Sequence, residues 1–299
     1  MTDATVLVTG AAGGQQGKTG RRVTELLRGR GVPVRAMVHT WDERAEYLSK
    51  LGAEVVAGDF LDFASIQKVV DGVSTVYFAY PVQEGLLDAS VNMAVAARNA
   101  GVTRLVDMAM LVSASDAPTP RMRENYLSEQ VFEWAGIGVA HVRATVFFEN
   151  VRALANAALA AGMFMAPFGD DSTVIPLVAG EDVARVAAGV LTAPTVPAGS
   201  SYSVIGQVLT VKEIVASLAS GLDRNVTYQD VSDEFWAEAA GGRINAHAVA
   251  HLSKLWANLR SQPRTFEVTD TIEQLGGRRP KTFAEFVVEE QDSFTPQPA

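Results

Sequence analysis

The chain has 299 residues, 48% of them hydrophobic, with a net charge of −9 and no cysteine. That length supports a sizeable core in one large or two intimately packed domains, and the missing thiols exclude disulfides, thiolate metal sites and cysteine catalysis. An acidic chain without a long basic run does not act mainly on nucleic acid, and no apolar run is long enough to cross a membrane.

The chain enters a core strand almost at once. Val6, Leu7 and Val8 form an apolar run too short for a helix. Gly10, Gly13, Gly14, Gly17 and Gly20 follow, and then Val23, Leu26 and Leu27 recur at helical spacing. The pattern predicts a buried strand, a glycine-rich turn and a helix. Such a turn lets backbone approach a pyrophosphate, whose charge is drawn to the N–H groups at the start of the helix. Further strands are predicted at 32–38, 53–57, 74–79, 102–110 and 139–146. Helices are predicted at 42–51, with Asp42 as N-cap, and at 63–70, 86–100 and 121–135; Gly101 and Gly136 stop the last two. This alternation predicts an α/β fold, a doubly wound parallel Rossmann sheet in the order 3-2-1-4-5-6.

Beyond residue 150 the pattern loosens. Helices fit at 151–161, 182–192, 210–220, 232–240, 243–260 and 282–290, and short strands at 173–177, 200–204 and 225–228. The expectation is a dinucleotide-binding domain over 1–150, a smaller C-terminal α+β substrate or lid lobe over 151–292, and a disordered tail over 293–299. The opening MTDATVLVTG leaves no room for a signal peptide, so the expectation is a soluble, cytoplasmic monomer or homodimer acting on a small molecule.

The glycine turn admits two nucleotide readings. Residues 12–19, AGGQQGKT, match a relaxed P-loop with Ala12 in place of the first glycine, Lys18 for the phosphates and Thr19 for Mg²⁺. Such a site also wants a strand-end acid, for which Asp107 is the candidate. A dinucleotide turn instead uses Gly10, Gly17 and Gly20, with an extended loop over Gly13–Gln16 between the first two. The six-strand pattern favours the dinucleotide. Strand 2 of such a domain normally ends in an acid for the ribose of NAD; here it ends Val38-His39-Thr40-Trp41, with Arg35 and Arg44 nearby. The absence of an acid at that tip favours NADP(H) over NAD(H).

These segments together resemble the NmrA-like family of atypical short-chain dehydrogenase/reductases. The matching stretches are TGAA…GKTGRRV at 9–23, VRAMVH at 34–39, GAEVVAGDFLD at 52–62, AGVTRLVDMAM at 100–110, LSEQVFEWAGIGVAHVRATVFFENV at 127–151 and IPLVAGEDVARVAAGVL at 175–191. The resemblance implies a Rossmann domain with a small substrate lobe. It covers quinone and dye reductases, plant phenylpropanoid reductases, and redox sensors that bind the dinucleotide without turning it over. The expected cofactor-binding residues are Gly10, Ala12, Gly17, Lys18, Thr19, Gly20, His39, Arg44, Asp59, Phe60, Ala79, Tyr80 and Met108; the resemblance puts Asp59 beside the adenine, and Tyr80 and Pro81, following strand 4, are expected near the nicotinamide.

The chain departs from the wider superfamily where a carbonyl is normally reduced. Such enzymes place a Ser at the end of strand 5 and a Tyr-x-x-x-Lys on the next helix. Here strand 5 runs Val106-Asp107-Met108-Ala109-Met110, with no Ser until Ser113. Tyr126 is followed four residues on by Gln130, and family spacing puts Asn125 in the Tyr place and Glu129 in the Lys place. The Tyr/Lys acid is therefore absent, and Tyr80, Asn125 and Tyr126 are the candidate hydrogen-bond donors. The functional expectation is an NADP(H)-dependent oxidoreductase passing hydride to a quinone-like or aromatic acceptor. The alternatives are a non-catalytic NADP(H) sensor and a P-loop nucleotide-binding protein. Phe147, Phe148, Glu149 and Asn150 are expected in the substrate wall, Asp182 as an N-cap, and Trp236 and Trp256 on helices of the second lobe. His247 and His251 share a helix face without a recognised metal motif, and no metal site is expected.

Overall fold

The computed structural model describes residues 5–14, 17–261 and 265–294. Gln15 and Gln16, in the extended glycine loop, and residues 295–299 of the expected tail lie outside the described residues.

Seven parallel strands form the central sheet: β1 (Val6–Val8), β2 (Val34–Val38), β3 (Glu54–Ala57), β4 (Thr75–Phe78), β5 (Arg104–Met110), β6 (Val139–Ala144) and β10 (Ser200–Val204). Their order is β3-β2-β1-β4-β5-β6-β10. The first six follow the expected doubly wound order. The seventh is an addition: 200–204, expected in the second lobe, pairs with β6 in register Ser200↔Ala140 to Val204↔Ala144. A short strand carries no local mark of the sheet it joins, so pattern alone could not place it.

One face of the sheet is covered by α3 (Phe63–Val70), α4 (Leu86–Asn99) and α5 (Pro120–Ala135). The other carries α1 (Thr19–Gly29), α2 (Glu43–Lys50) and α7 (Gly180–Thr192), joined by Ile272 of α11 (Thr271–Gly276). Asp42 caps α2, its carboxylate accepting from the Arg44 and Ala45 N–H groups. Asp182 does not cap a helix: α7 begins two residues earlier, and the buried carboxylate instead pairs with Arg185 and accepts the Lys281 N–H at 2.8 Å. The second half of the chain thus returns to the first core at 180–204 and at 271–276.

The smaller lobe has its own core. It contains β7 (Val146–Phe147), α6 (Phe148–Asn156), β8 (Met163–Ala166), β9 (Val174–Val178), β11 (Gln207–Thr210), α8 (Val211–Gly221), β12 (Thr227–Asp230), α9 (Asp233–Gly241), α10 (Ala246–Ser261) and α12 (Phe283–Glu289). Two small sheets, β11-β9-β7 and β12-β8, frame it. Phe294 is buried against Phe286, so the chain stays packed to that point, inside the stretch expected as a tail. No helix among the described residues is long and apolar enough to cross a membrane.

Candidate active site

A cleft of about 1790 Å³ lies over the carboxyl edge of the sheet, between the two cores. Its floor at one end is the glycine turn. A Cβ on Gly20 would meet the Gly10 and Thr9 carbonyl oxygens at 2.5 and 2.6 Å, so only glycine lets α1 start so close to β1. Lys18 caps α1 in the left-handed conformation and no side chain caps the helix. The amides of its first turn are left for a ligand anion. Thr9 ties this turn to the neighbouring strand, accepting the Ala79 N–H at 2.8 Å and donating to Tyr77 O at 3.1 Å.

Most of the sequence-predicted residues meet here. Gly10, Ala12, Lys18, Thr19, Gly20, His39, Arg44, Asp59, Phe60, Ala79, Tyr80, Met108 and Asn125 all line the cleft. Gly17 does not: it is buried, with the Phe147 ring 3.0 Å from where its Cβ would be and the start of α7 against its carbonyl. Its glycine serves packing between the turn and α7. Tyr126 is also not among the lining residues. The next position after Asn125 lies about 100° further round α5, which turns its side chain away from Asn125 and Met122.

The P-loop reading fails on Thr19. That hydroxyl is buried and accepts a hydrogen bond from Tyr77 at 2.9 Å, on a doubly wound Rossmann sheet. Asp107, its proposed metal acid, is instead buried under α5, hydrogen-bonded to His141 Nδ1 at 3.1 Å. Asp107, Glu129 and His141 each bring one potential ligand atom within 4.8 Å of the others. Arg143 already holds Glu129 at 2.6 and 2.9 Å, so the cluster is internally paired and contains a cation of its own.

The three candidate donors differ in what they offer. Tyr80 donates its hydroxyl proton to Glu84 O at 2.8 Å. The Asn125 amide donates to Arg121 O at 3.1 Å, a turn back on its own helix. Glu149 is structural as well as lining: it accepts the Gly180 N–H and pairs with Arg22, both at 3.2 Å, locking α6 to α1 and α7.

Arg121 was not anticipated. Its buried guanidinium donates to the Gln83, Tyr80 and Pro81 carbonyls at 3.1, 3.2 and 3.0 Å, fixing the loop after β4. Burial pushes it down to about 10. A cation in the first turn of a helix opposes the helix dipole, and that was the available signal.

The far end of the cleft is aromatic. Phe147, Phe235, Trp236, Trp256 and Phe266 line it, with Leu252 and Leu255. Trp236 and Trp256 meet edge-on with ring centroids 6.4 Å apart, so they serve both as core and as wall.

The model of the NmrA-like family matches residues 2–286. The chain belongs to the NmrA-like family. Its relatives include a (4-alkanoyl-5-oxo-2,5-dihydrofuran-3-yl)methyl phosphate reductase of Streptomyces griseus, 30% identical over 98% of this chain and 100% of that protein. An NAD(P)H azoreductase of Xenophilus azovorans is 27% identical over 91% of this chain and 94% of its own length. Among solved structures, the NADPH complex of the NADPH-dependent quinone oxidoreductase QOR2 of Escherichia coli is 25% identical, with a TM-score of 0.80 covering 95% of this chain and 99% of that one.

Proposed function

We propose that this NmrA-like protein is an NADP(H)-dependent reductase that passes hydride to a flat, conjugated acceptor such as a quinone or an azo compound. One observation carries the reading: a single cleft runs from the uncapped start of α1 to an aromatic pocket built by the second lobe. The residues fit a dinucleotide. The first-turn amides of α1 and Lys18 suit the pyrophosphate, the Asp59–Phe60 turn suits the adenine, and His39 and Arg44 suit a ribose phosphate. The cofactor supplies the hydride. The protein's part is to hold it along the strand ends, orient an acceptor between the aromatic rings, and exclude water with the second lobe as lid.

The activities of the azoreductase and quinone oxidoreductase relatives support the acceptor class. The reading carries a cytoplasmic protein that works on small molecules as a monomer or homodimer. The test is calorimetry with NADPH, NADH and ATP, followed by NADPH oxidation with quinones and azo dyes. Micromolar NADPH binding with turnover of one acceptor is expected. Binding without turnover of any acceptor leaves the sensor alternative standing, and ATP binding in place of NADPH removes both.

A further inference from the structure

Along α10, Ala248, His251, Leu252, Leu255, Trp256, Asn258 and Leu259 line the cleft, and His251 is the titratable group of that stripe. Its Nδ1 lies 2.9 Å from Oγ1 of Thr119, the N-cap of α5. That fully buried hydroxyl already accepts the Met122 N–H at 3.1 Å. It has one proton to place, and His251 Nδ1 is the acceptor offered to it among the described residues. The arrangement in which the hydroxyl donates to Nδ1 leaves the ring proton on Nε2.

Nε2 has no protein partner among the described residues. Nε2 of His141 has Glu133 Oε1 3.4 Å away and Nε2 of His247 has Glu124 Oε2 3.8 Å away, whereas that of His251 has no carboxylate beside it among the described residues, and the residue lines the cleft. Burial, with the charges of Arg121 and then His247, pushes His251 down to about 3. The ring is a neutral donor.

We propose that the His251 Nε2–H is the hydrogen-bond donor for the charge that develops on the acceptor during hydride transfer. The inference rests on the reductase reading above. Hydride leaves NADPH, which becomes NADP⁺, and its electron pair raises the charge on an acceptor oxygen or nitrogen. His251 stabilises that charge without giving up its proton, and solvent water supplies the proton that completes the reduced product as the cleft reopens. A neutral imidazole serves as such an electrophile where its surroundings keep it uncharged. His251 thereby takes the role for which the sequence offered Tyr80, whose one hydroxyl proton is on Glu84 O, Tyr126, which is outside the cleft, and Asn125, which has one of its two N–H groups on Arg121 O.

Two measurements test this. The first is a long-range proton–nitrogen correlation spectrum of protein labelled with nitrogen-15 histidine; with four histidines in the chain, His251→Gln assigns the signal. The Nε2–H tautomer is expected; a proton on Nδ1, or on both nitrogens at neutral pH, overturns the proposal. The second is NADPH oxidation with menadione. His251→Ala is expected to lower kcat by about 10²–10³ with the KM for NADPH unchanged, and His251→Gln, which keeps an N–H, to recover about tenfold. An unchanged kcat in His251→Ala, or no recovery in His251→Gln, overturns it. An inactive wild-type protein would count against the reductase reading instead. The ring is then judged by its resonance when NADP⁺ and menadione are added: a shifted Nε2 supports the contact, and an unmoved one overturns it.

Discussion

The guanidinium of Arg44 is folded onto the carboxylate of Asp42, with Nη2 and Nε 2.6 and 2.9 Å from Oδ2, while Nη1 reaches Gly13 O at 3.2 Å. The acid that strand 2 lacks at its tip is thus supplied four residues beyond Val38, already paired with the cation that would meet a ribose phosphate. The wild-type protein is expected to bind NADPH several-fold tighter than NADH. Asp42→Asn keeps the helix cap and frees Arg44, and should raise the NADPH:NADH affinity ratio by about tenfold. His39→Gln with Arg44→Gln should bring the ratio toward unity. Calorimetric titration of each variant with both cofactors reads the outcome, and equal affinities in the wild type would remove the NADP(H) assignment.

Lys18 is exposed at the lip of the turn, whereas Thr19 is locked to Tyr77. Lys18→Ala should weaken NADPH binding only modestly, by about threefold to tenfold, through lost charge. Added Mg²⁺ should change nothing. Magnesium-dependent ATP binding in the wild type, abolished in the variant, would contradict the dinucleotide reading.

Gly20→Ala puts a methyl group against two backbone carbonyls that have nowhere to retreat. The helix start must move, at a cost of about 1–3 kcal/mol. A lower melting temperature and loss of most NADPH affinity are expected together, since the same amides are the proposed pyrophosphate site. Gly14→Ala is the control: no atom of the described residues lies within 4 Å of its added Cβ, and both properties should stay close to wild type.

His141 ties β6 to α5 beneath the cleft, between Asp107 and Glu133. Burial pulls its pKa down, but the Asp107 hydrogen bond and the nearby carboxylates outweigh this and raise it above 6.5. The folded state therefore holds the proton more tightly than the unfolded state. The resulting stabilisation is fully present below pH 6.5 and fades as pH rises through the folded value. The melting-temperature advantage of wild type over His141→Gln should shrink steadily above pH 6.5. A constant difference across that range would show that the ring is not charged in the folded protein.

The glycine turn and the order of the first six strands were legible because their signals are local: Gly20 is required by the Thr9 and Gly10 carbonyls about ten residues before it. The candidate donors were not. Asn125 and Tyr126 are adjacent in sequence, and the phase of one helix decides which of them reaches the cleft. The Thr119–His251 pair joins positions 132 residues apart, so neither its existence nor the tautomer it sets leaves a mark in any sequence window. Asp182 looked like a cap because an acid precedes an apolar run, but its partner, the Lys281 N–H, lies 99 residues away.

Because α7 and β10 rejoin the first core, the smaller lobe is not a detachable half. It consists of inserted lengths, 145–178 and 205–261 with a closing segment from 283, threaded through a frame that resumes after each. A fragment ending at residue 150 would leave Val106, Ala140 and Val142 without the Val183, Ala184 and Ala187 side chains that share their core, exposing an apolar sheet face. The frame that carries the glycine turn is thus continuous in space but not in sequence, and the smaller lobe's segments enter and leave it on either side of α7 and β10.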